Sequence, residues 1–307
     1  MQYRYYTVDV FTQTRFGGNQ LAVLPEAEGL STEQMQAITR EFNYSESTFV
    51  LPPENADNDA RVRIFTPARE IPFAGHPNLG TAHVLSTIGS SGRHGDGEKT
   101  LRFEELAGVV PVRVRFEGGA PVYCELTAPQ KLELGAEMSA DADVAELAQA
   151  LSLRPEEIVT ESHFPRSASV GLPFLCVELR DRDALARSQV RVDSWIPYSE
   201  RVACNSVHLY TRDTDTDEFD LRCRMYARMG SIREDPATGS ANCALAGLLA
   251  SLASESNGTF TYRIAQGLEM GRPSALFASA EKRDGAVTEV RIGGTSVSVT
   301  EGLIAVD

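Results

Sequence analysis

His76-Pro77-Asn78-Leu79-Gly80-Thr81-Ala82 and Asp235-Pro236-Ala237-Thr238-Gly239-Ser240-Ala241 share the pattern (His or Asp)-Pro-x-x-Gly-(Thr or Ser)-Ala. The second copy lies 159 residues after the first, close to half of the 307-residue chain. Each follows an apolar run studded with arginine, residues 61–65 and 221–226, and each opens an Ala/Leu-rich stretch. Both therefore read as strand, glycine-bearing loop and helix start. Two further landmarks recur in the same order at offsets between 154 and 160. Gly171-Leu172-Pro173-Phe174-Leu175-Cys176-Val177 answers Gly18-Asn19-Gln20-Leu21-Ala22-Val23, and residues 206–210 answer residues 46–50. The pattern predicts a duplicated unit with strands around one central helix in each half, an α+β layout. Related by a pseudo-twofold, the two loops would face each other across a cleft.

Working outward, residues 3–11, 20–24, 46–51, 61–65, 101–103, 109–116 and 122–126 have the β-branched and aromatic content of strands, and so do 262–265, 288–292 and 296–300 near the end. Ser31 is a helix N-cap with Gln34 as its capping-box partner, opening a helix that carries Met35, Ile38 and Phe42 and ends near Asn43. Further helices are expected from Gly80 to about Gly89, over 142–151 and, as a polar segment, over 183–188. Residues 89–97 form a loop. The halves divide as 1–128 and 129–307, with the last strand available to pack back on the first half.

The composition is that of a globular protein, 42% hydrophobic and 23% charged. A net charge of −14 argues against nucleic acid or an anionic membrane as partner. Five cysteines show no C-x-x-C spacing, and Cys124, Cys176, Cys204 and Cys223 read as buried free thiols of a reducing compartment. No signal core precedes the first strand and no run is long enough to span a bilayer, so a cytoplasmic location is expected. The His, Asp and Glu spacings match no zinc motif, and there is no dinucleotide fingerprint, phosphate-binding loop or nucleophile elbow. Acid–base chemistry by side chains, without metal or cofactor, is what remains.

A helix start presents unpaired backbone N–H groups and the positive end of a dipole. Gly80 and Gly239 would let backbone approach a ligand, and Thr81 and Ser240 add hydroxyls. Two such starts aimed at one cleft would hold a carboxylate. Three ionisable groups stand beside them: His76 and Asp235 in the loops, and Glu46 at a strand start between polar Asn43-Tyr44-Ser45 and apolar Phe49-Val50-Leu51. A carboxyl group partly desolvated there suits general acid–base work. From its local sequence alone, Glu46 reads more readily as an ordinary surface carboxylate. His83 reads as a packed helix residue, and His94, His163 and His208 carry no constellation.

At these residues the chain resembles the PhzF-like family of phenazine-biosynthesis isomerases, which share the fold of diaminopimelate epimerase and proline racemase. The segments that carry the resemblance are Asp9-Val10-Phe11 with Gly18-Asn19-Gln20-Leu21-Ala22-Val23, Asn43-Tyr44-Ser45-Glu46-Ser47-Thr48-Phe49, Pro72-Phe73-Ala74-Gly75-His76-Pro77-Asn78-Leu79-Gly80-Thr81-Ala82, and Glu234-Asp235-Pro236-Ala237-Thr238-Gly239-Ser240-Ala241. The resemblance implies two pseudo-symmetric halves, each a barrel-like, mostly antiparallel sheet around a central helix, with the active site between them, a homodimer and no cofactor. It implies that Glu46 shuttles a proton, that His76 and Asp235 are polar partners in the cleft, and that Ser240 helps bind a substrate carboxylate. Gly75 and Gly239 then belong to loops whose amides contact the ligand.

The expected activity is isomerisation of a small cyclic or amino-acid-like carboxylate, similar to that of trans-2,3-dihydro-3-hydroxyanthranilate isomerase. A non-catalytic ligand-binding protein of the same fold is the alternative from another class. A two-thiol epimerase or racemase is disfavoured, because the glycine loops hold no cysteine and Cys243 lies past the helix start. A hydrolase built on Ser240, His76 and Asp235 is weaker still without a nucleophile elbow.

Overall fold

The computed structural model describes residues 1–90, 92, 95–229 and 231–307, so His94 lies outside the described residues. The chain forms two compact units, Met1–Thr127 with Gly293–Asp307, and Ala128–Ile292. The C-terminal segment thus belongs to the first unit rather than to the second.

In the first unit the strands are β1 (Gln2–Val10), β2 (Asn19–Leu24), β3 (Glu46–Leu51), β4 (Ala60–Phe65), β5 (Glu70–Ile71), β6 (Gly97–Glu105), β7 (Gly108–Glu117) and β8 (Ala120–Thr127). Strand β1 pairs antiparallel with β2 and with the chain's last strand, Ser296–Ala305. Strand β2 runs parallel to β3, and β4 lies antiparallel to β3 and β5 but parallel to β6. The hairpins β6–β7–β8 complete the sheet. Gly18 makes the β1–β2 turn because its φ is +62° and a Cβ there would collide with the Val10 carbonyl oxygen.

Helix α1 (Thr32–Phe42) is the crossover that the parallel β2–β3 pair requires. It starts on the Ser31–Gln34 capping box and stops at Asn43, a left-handed C-cap, as the sequence predicts. Helix α2 (Gly75–Thr87) is different in kind: every residue from Gly75 to Ser86 is buried. A helix without a polar face has to be enclosed, and α2 touches β1, β2, β3, β7, β8 and the last strand.

The second unit repeats this plan. It comprises β9 (Glu133–Glu137), β10 (Arg166–Ser169), β11 (Pro173–Glu178), β12 (Ser206–Thr211), β13 (Leu221–Met229), β14 (Ser231–Asp235), β15 (Gly258–Gln266), β16 (Ser274–Arg283) and β17 (Ala286–Gly294). Strands β11 and β12 are parallel, β13 is antiparallel to β12 and β14 but parallel to β15, and β15 pairs with β16. The helices are α3 (Asp141–Ala150), α4 (Arg182–Arg187), α5 (Val192–Arg201) and the enclosed α6 (Gly239–Leu252). Packing of α3 against α5 extends the core through Leu147, Trp195 and Tyr198.

The counterpart of α1 is α5, not the polar segment at 183–188. Trp195 and Ser199 are buried where α1 buries Met35 and Thr39. Both helices are followed by a left-handed residue, Asn43 and Ala203, three positions before the next strand. The sequence pattern hides α5 because Pro197 stands inside it.

Candidate active site

Glu46 is the first residue of β3, opposite Leu21 in the register with β2. His76 is the second residue of α2. The fold brings their side chains together, with Nε2 of His76 3.5 Å from Oε2 of Glu46 and relative exposures of only 7% and 15%. On the other edge of the ring, Nδ1 lies 3.5 Å from Nδ2 of buried Asn19, at the start of β2. Burial drives the His76 pKa down to about 3, outweighing a backbone hydrogen bond at Gln20 that favours the charged ring. His76 is therefore a neutral imidazole beside a carboxyl group, and their approach is not an ion pair.

The two helix starts correspond, though not in the register of the repeated heptapeptide. Helix α2 begins at Gly75, five residues earlier than Gly80, whereas α6 begins at Gly239. The local equivalents are Gly75 with Gly239 and His76 with Ser240, an offset of 164 rather than 159. Hydrogen bonds bear this out. Asn78 donates through Nδ2 to the Ala74 carbonyl at 3.1 Å, and Asn242 donates to the Thr238 carbonyl at 3.0 Å. Upstream, Arg63 grips Glu70 with two bonds of 2.7 Å, and Arg224 grips Glu234 with bonds of 2.7 and 2.9 Å. Asp235 consequently corresponds to Ile71, not to His76.

Gly80 sits within α2, where an added Cβ would meet Leu21 at 2.6 Å and Val10 at 2.8 Å. Its lack of a Cβ makes room for these strand side chains. Thr81 turns inward as well and shares a 2.8 Å hydrogen bond with Thr48.

In the second unit, Asp235 closes β14 and accepts a 2.5 Å hydrogen bond from the Thr238 hydroxyl. Thr238 is the N-cap of α6, yet its hydroxyl goes to Asp235 and supplies no cap. Ala74, the N-cap of α2, has no side-chain cap either. Gln266, fully buried at the end of β15, ties this loop together. Its Nε2 donates to the Asp235 carbonyl at 2.9 Å, and its Oε1 accepts from Nδ2 of Asn242 at 2.8 Å. His208 lies 3.1 Å from Oδ1 of Asn242 and is held neutral by burial, its pKa near 4. Sequence reasoning missed Asn19, Asn78, Asn242, Gln266 and His208; the aligned phrase Gly-(His or Ser)-x-Asn was the available signal for two of them.

All five cysteines are unpaired and buried. Burial pushes the Cys243 thiol up, so it is a packed group rather than a thiolate. Among the described residues, no group of three His, Cys, Asp or Glu side chains is placed to hold a metal ion, and no helix is long and apolar enough to cross a membrane.

The phenazine biosynthesis-like protein family matches residues 8–302. The chain belongs to this family. An uncharacterized isomerase of Mesorhizobium japonicum is 39% identical to it, covering 98% of this chain and 99% of its own length. A trans-2,3-dihydro-3-hydroxyanthranilate isomerase of Pseudomonas aeruginosa is 35% identical, covering 98% of both. A Bacillus anthracis phenazine biosynthesis protein of the PhzF family shares the fold over the whole of both chains, with a TM-score of 0.86 at 22% identity. Within this PhzF family the chain is an isomerase.

Proposed function

We propose that this isomerase moves a proton on a small cyclic or amino-acid-like carboxylate, with Glu46 taking the proton from one carbon and returning it to another. One carboxyl group acting first as base and then as acid suffices for transfer on a single face. The observation that carries this reading is the placement of Glu46: partly buried, 3.5 Å from a neutral imidazole, beside the start of an enclosed helix. A neutral ring can hold or return a proton without fixing the carboxylate as one half of an ion pair. Because the ring nitrogens of His76 lie 3.5 Å from Asn19 and 3.5 Å from Glu46, its place favours this role over that of base for a serine nucleophile.

Ser240 occupies in α6 the place His76 occupies in α2, and its hydroxyl at the Gly239 helix start suits a substrate carboxylate, as the amide of the Gly75 helix start does in the first unit. Asp235, held by Thr238 and by the Gln266 bond to its backbone, is the polar residue assigned to the substrate in the second unit. The Pseudomonas aeruginosa relative, a trans-2,3-dihydro-3-hydroxyanthranilate isomerase, supports a cyclic amino-acid-like carboxylate as the substrate class. No cofactor takes part in this scheme, and the assembly is a homodimer, which light scattering with size-exclusion chromatography tests. The reaction is tested by incubating the protein with candidate carboxylates in heavy water. Deuterium gained by one of them supports proton transfer, and failure across cyclic and acyclic amino-acid-like carboxylates would count against it.

A further inference from the structure

The internal repeat places one more ionisable group at the α2 start. Arg61 stands opposite Glu104 in the parallel β4–β6 pair, as Arg222 stands opposite Ala265 in β13–β15. The next residues, Glu105 and Gln266, are therefore structural equivalents. Leu101 and Phe103 of β6 are buried, Arg102 is exposed, and the alternation carries Glu105 inward. The hairpin that bears it is fastened to the loop before α2, since the Ala107 amide donates to the Pro72 carbonyl at 3.2 Å.

Gln266 shows what this position does when fully bonded. Its amide group both donates and accepts, joining the backbone at 235 and 238 to the side chain of Asn242. In the first unit the same asparagine is present as Asn78, bonded in the same way to the residue before the helix. Glu105, however, has both carboxyl oxygens buried without a well-formed hydrogen bond, although the Asn78 side chain stands close enough to act on the carboxyl group. An ionised carboxylate offers acceptors only, whereas a protonated one has the donor and acceptor of a glutamine.

We propose that Glu105 works as a neutral carboxylic acid in the place of Gln266, a positioning residue that clamps the α2 start through Asn78, and that its ionisation loosens the segment carrying His76. Burial pushes the Glu105 pKa up to about 8, against a smaller opposing effect of the Asn78 side chain. No charged group enters that balance. On β4, Arg61 and Arg63 are engaged by Glu54 and Glu70, on β6 Glu104 binds the amides of Glu54 and Asn55, and α2 offers Asn78 and a neutral His76. The residues of β7 that pair with this end of β6, Gly108 to Val110, are uncharged.

The sign follows from linkage. A carboxyl group whose pKa rises on folding stabilises the fold fully below its ordinary value, near 4.5, and that contribution is lost as pH climbs through about 8. The test compares wild type, Glu105→Gln, Glu105→Ala and Gln266→Glu by amide hydrogen exchange over residues 72–79 and by thermal unfolding, each at matched pH between about 5 and 9. Wild type should lose protection of this segment and melting temperature relative to Glu105→Gln as pH rises, and Gln266→Glu should acquire the same alkaline weakness. Glu105→Ala should be loosened at every pH, so that glutamine rescues and alanine does not. Parallel curves for wild type and Glu105→Gln over the whole range would overturn the proposal. These readouts require no turnover, so they fail or succeed independently of the proton-transfer reading. On that reading, Glu105→Gln also removes the alkaline decline of kcat while leaving KM in place, and an unchanged decline would contradict the role.

Discussion

Substitution of Gly80 by alanine separates a packing glycine from a ligand-contacting one. Two effects oppose each other. Alanine inside a helix is favoured over glycine by about 0.8–1.0 kcal/mol. The new methyl group would lie 2.6 Å from Leu21 Cδ2, 2.8 Å from Val10 Cγ2 and 3.2 Å from Val8 Cγ1. These three side chains are at most 1% exposed, so none can swing aside into solvent. Overfilling a packed core in this way costs about 1–3 kcal/mol. The net expectation is a destabilisation of up to about 2 kcal/mol, with the clash winning over helix propensity. Urea unfolding followed by far-UV circular dichroism should show a lower midpoint with an unchanged slope, because the surface exposed on unfolding does not change. Carboxylate binding should persist in the folded variant. A variant as stable as wild type that loses ligand would refute the packing account and return Gly80 to the binding loop.

Arg224→Met should destabilise the second unit by about 3–5 kcal/mol, since it strands Glu234 and removes the donor to the Leu185, Ala186 and Ser188 carbonyls. Arg63→Met, its more exposed equivalent, should cost clearly less in the same unfolding assay, and equal losses would contradict the burial argument. Ser240→Ala should weaken carboxylate binding by about 1–3 kcal/mol in titration calorimetry, and equal affinity would remove Ser240 from the site. Acid should erode stability through the buried histidines. His83 is held neutral by burial with a pKa of about 4, against 6.5 ordinarily, so its contribution is present above pH 6.5 and lost as pH falls through about 4. The stability gap between wild type and His83→Gln should therefore shift in favour of the variant over that window, and a constant gap would show that His83 titrates normally.

Much of this fold is legible in the sequence because its signals are local. The Ser31–Gln34 cap, the left-handed stop at Asn43 and the alternating strand β7 each declare themselves within a few residues. Helix α5 does not, since Pro197 interrupts its pattern and only burial of Trp195 and Tyr198 against α3 makes it hold. The internal repeat was visible, but its register was not. The heptapeptide aligns His76 with Asp235, whereas strand pairing and helix starts align His76 with Ser240. Sequence likeness over seven residues carries less information than the paired Arg63–Glu70 and Arg224–Glu234 clamps, which connect residues that only pairing of the strands brings together. The nearness of Glu46 to His76 was likewise beyond the sequence, as 30 residues separate them and the parallel β2–β3 pair with α2 closes the distance.

The corrected register also shows how unevenly the duplicated halves carry chemistry. Glu46 answers to Ser206, His76 to Ser240 and Glu105 to Gln266. The first unit holds the ionisable member of each pair and the second the neutral one, while Asp235 answers to an apolar Ile71. A single base on one half is what transfer on one face needs, and two opposed bases would be the arrangement for inversion.

Solvent-deuterium incorporation by Glu46→Gln tests the proton shuttle most directly. Glutamine keeps the size and polarity of the side chain beside His76 but cannot accept a proton, so exchange into a true substrate should fall by roughly 100- to 10,000-fold while ligand affinity is retained. Exchange at the wild-type rate in the folded variant would contradict the assignment of Glu46.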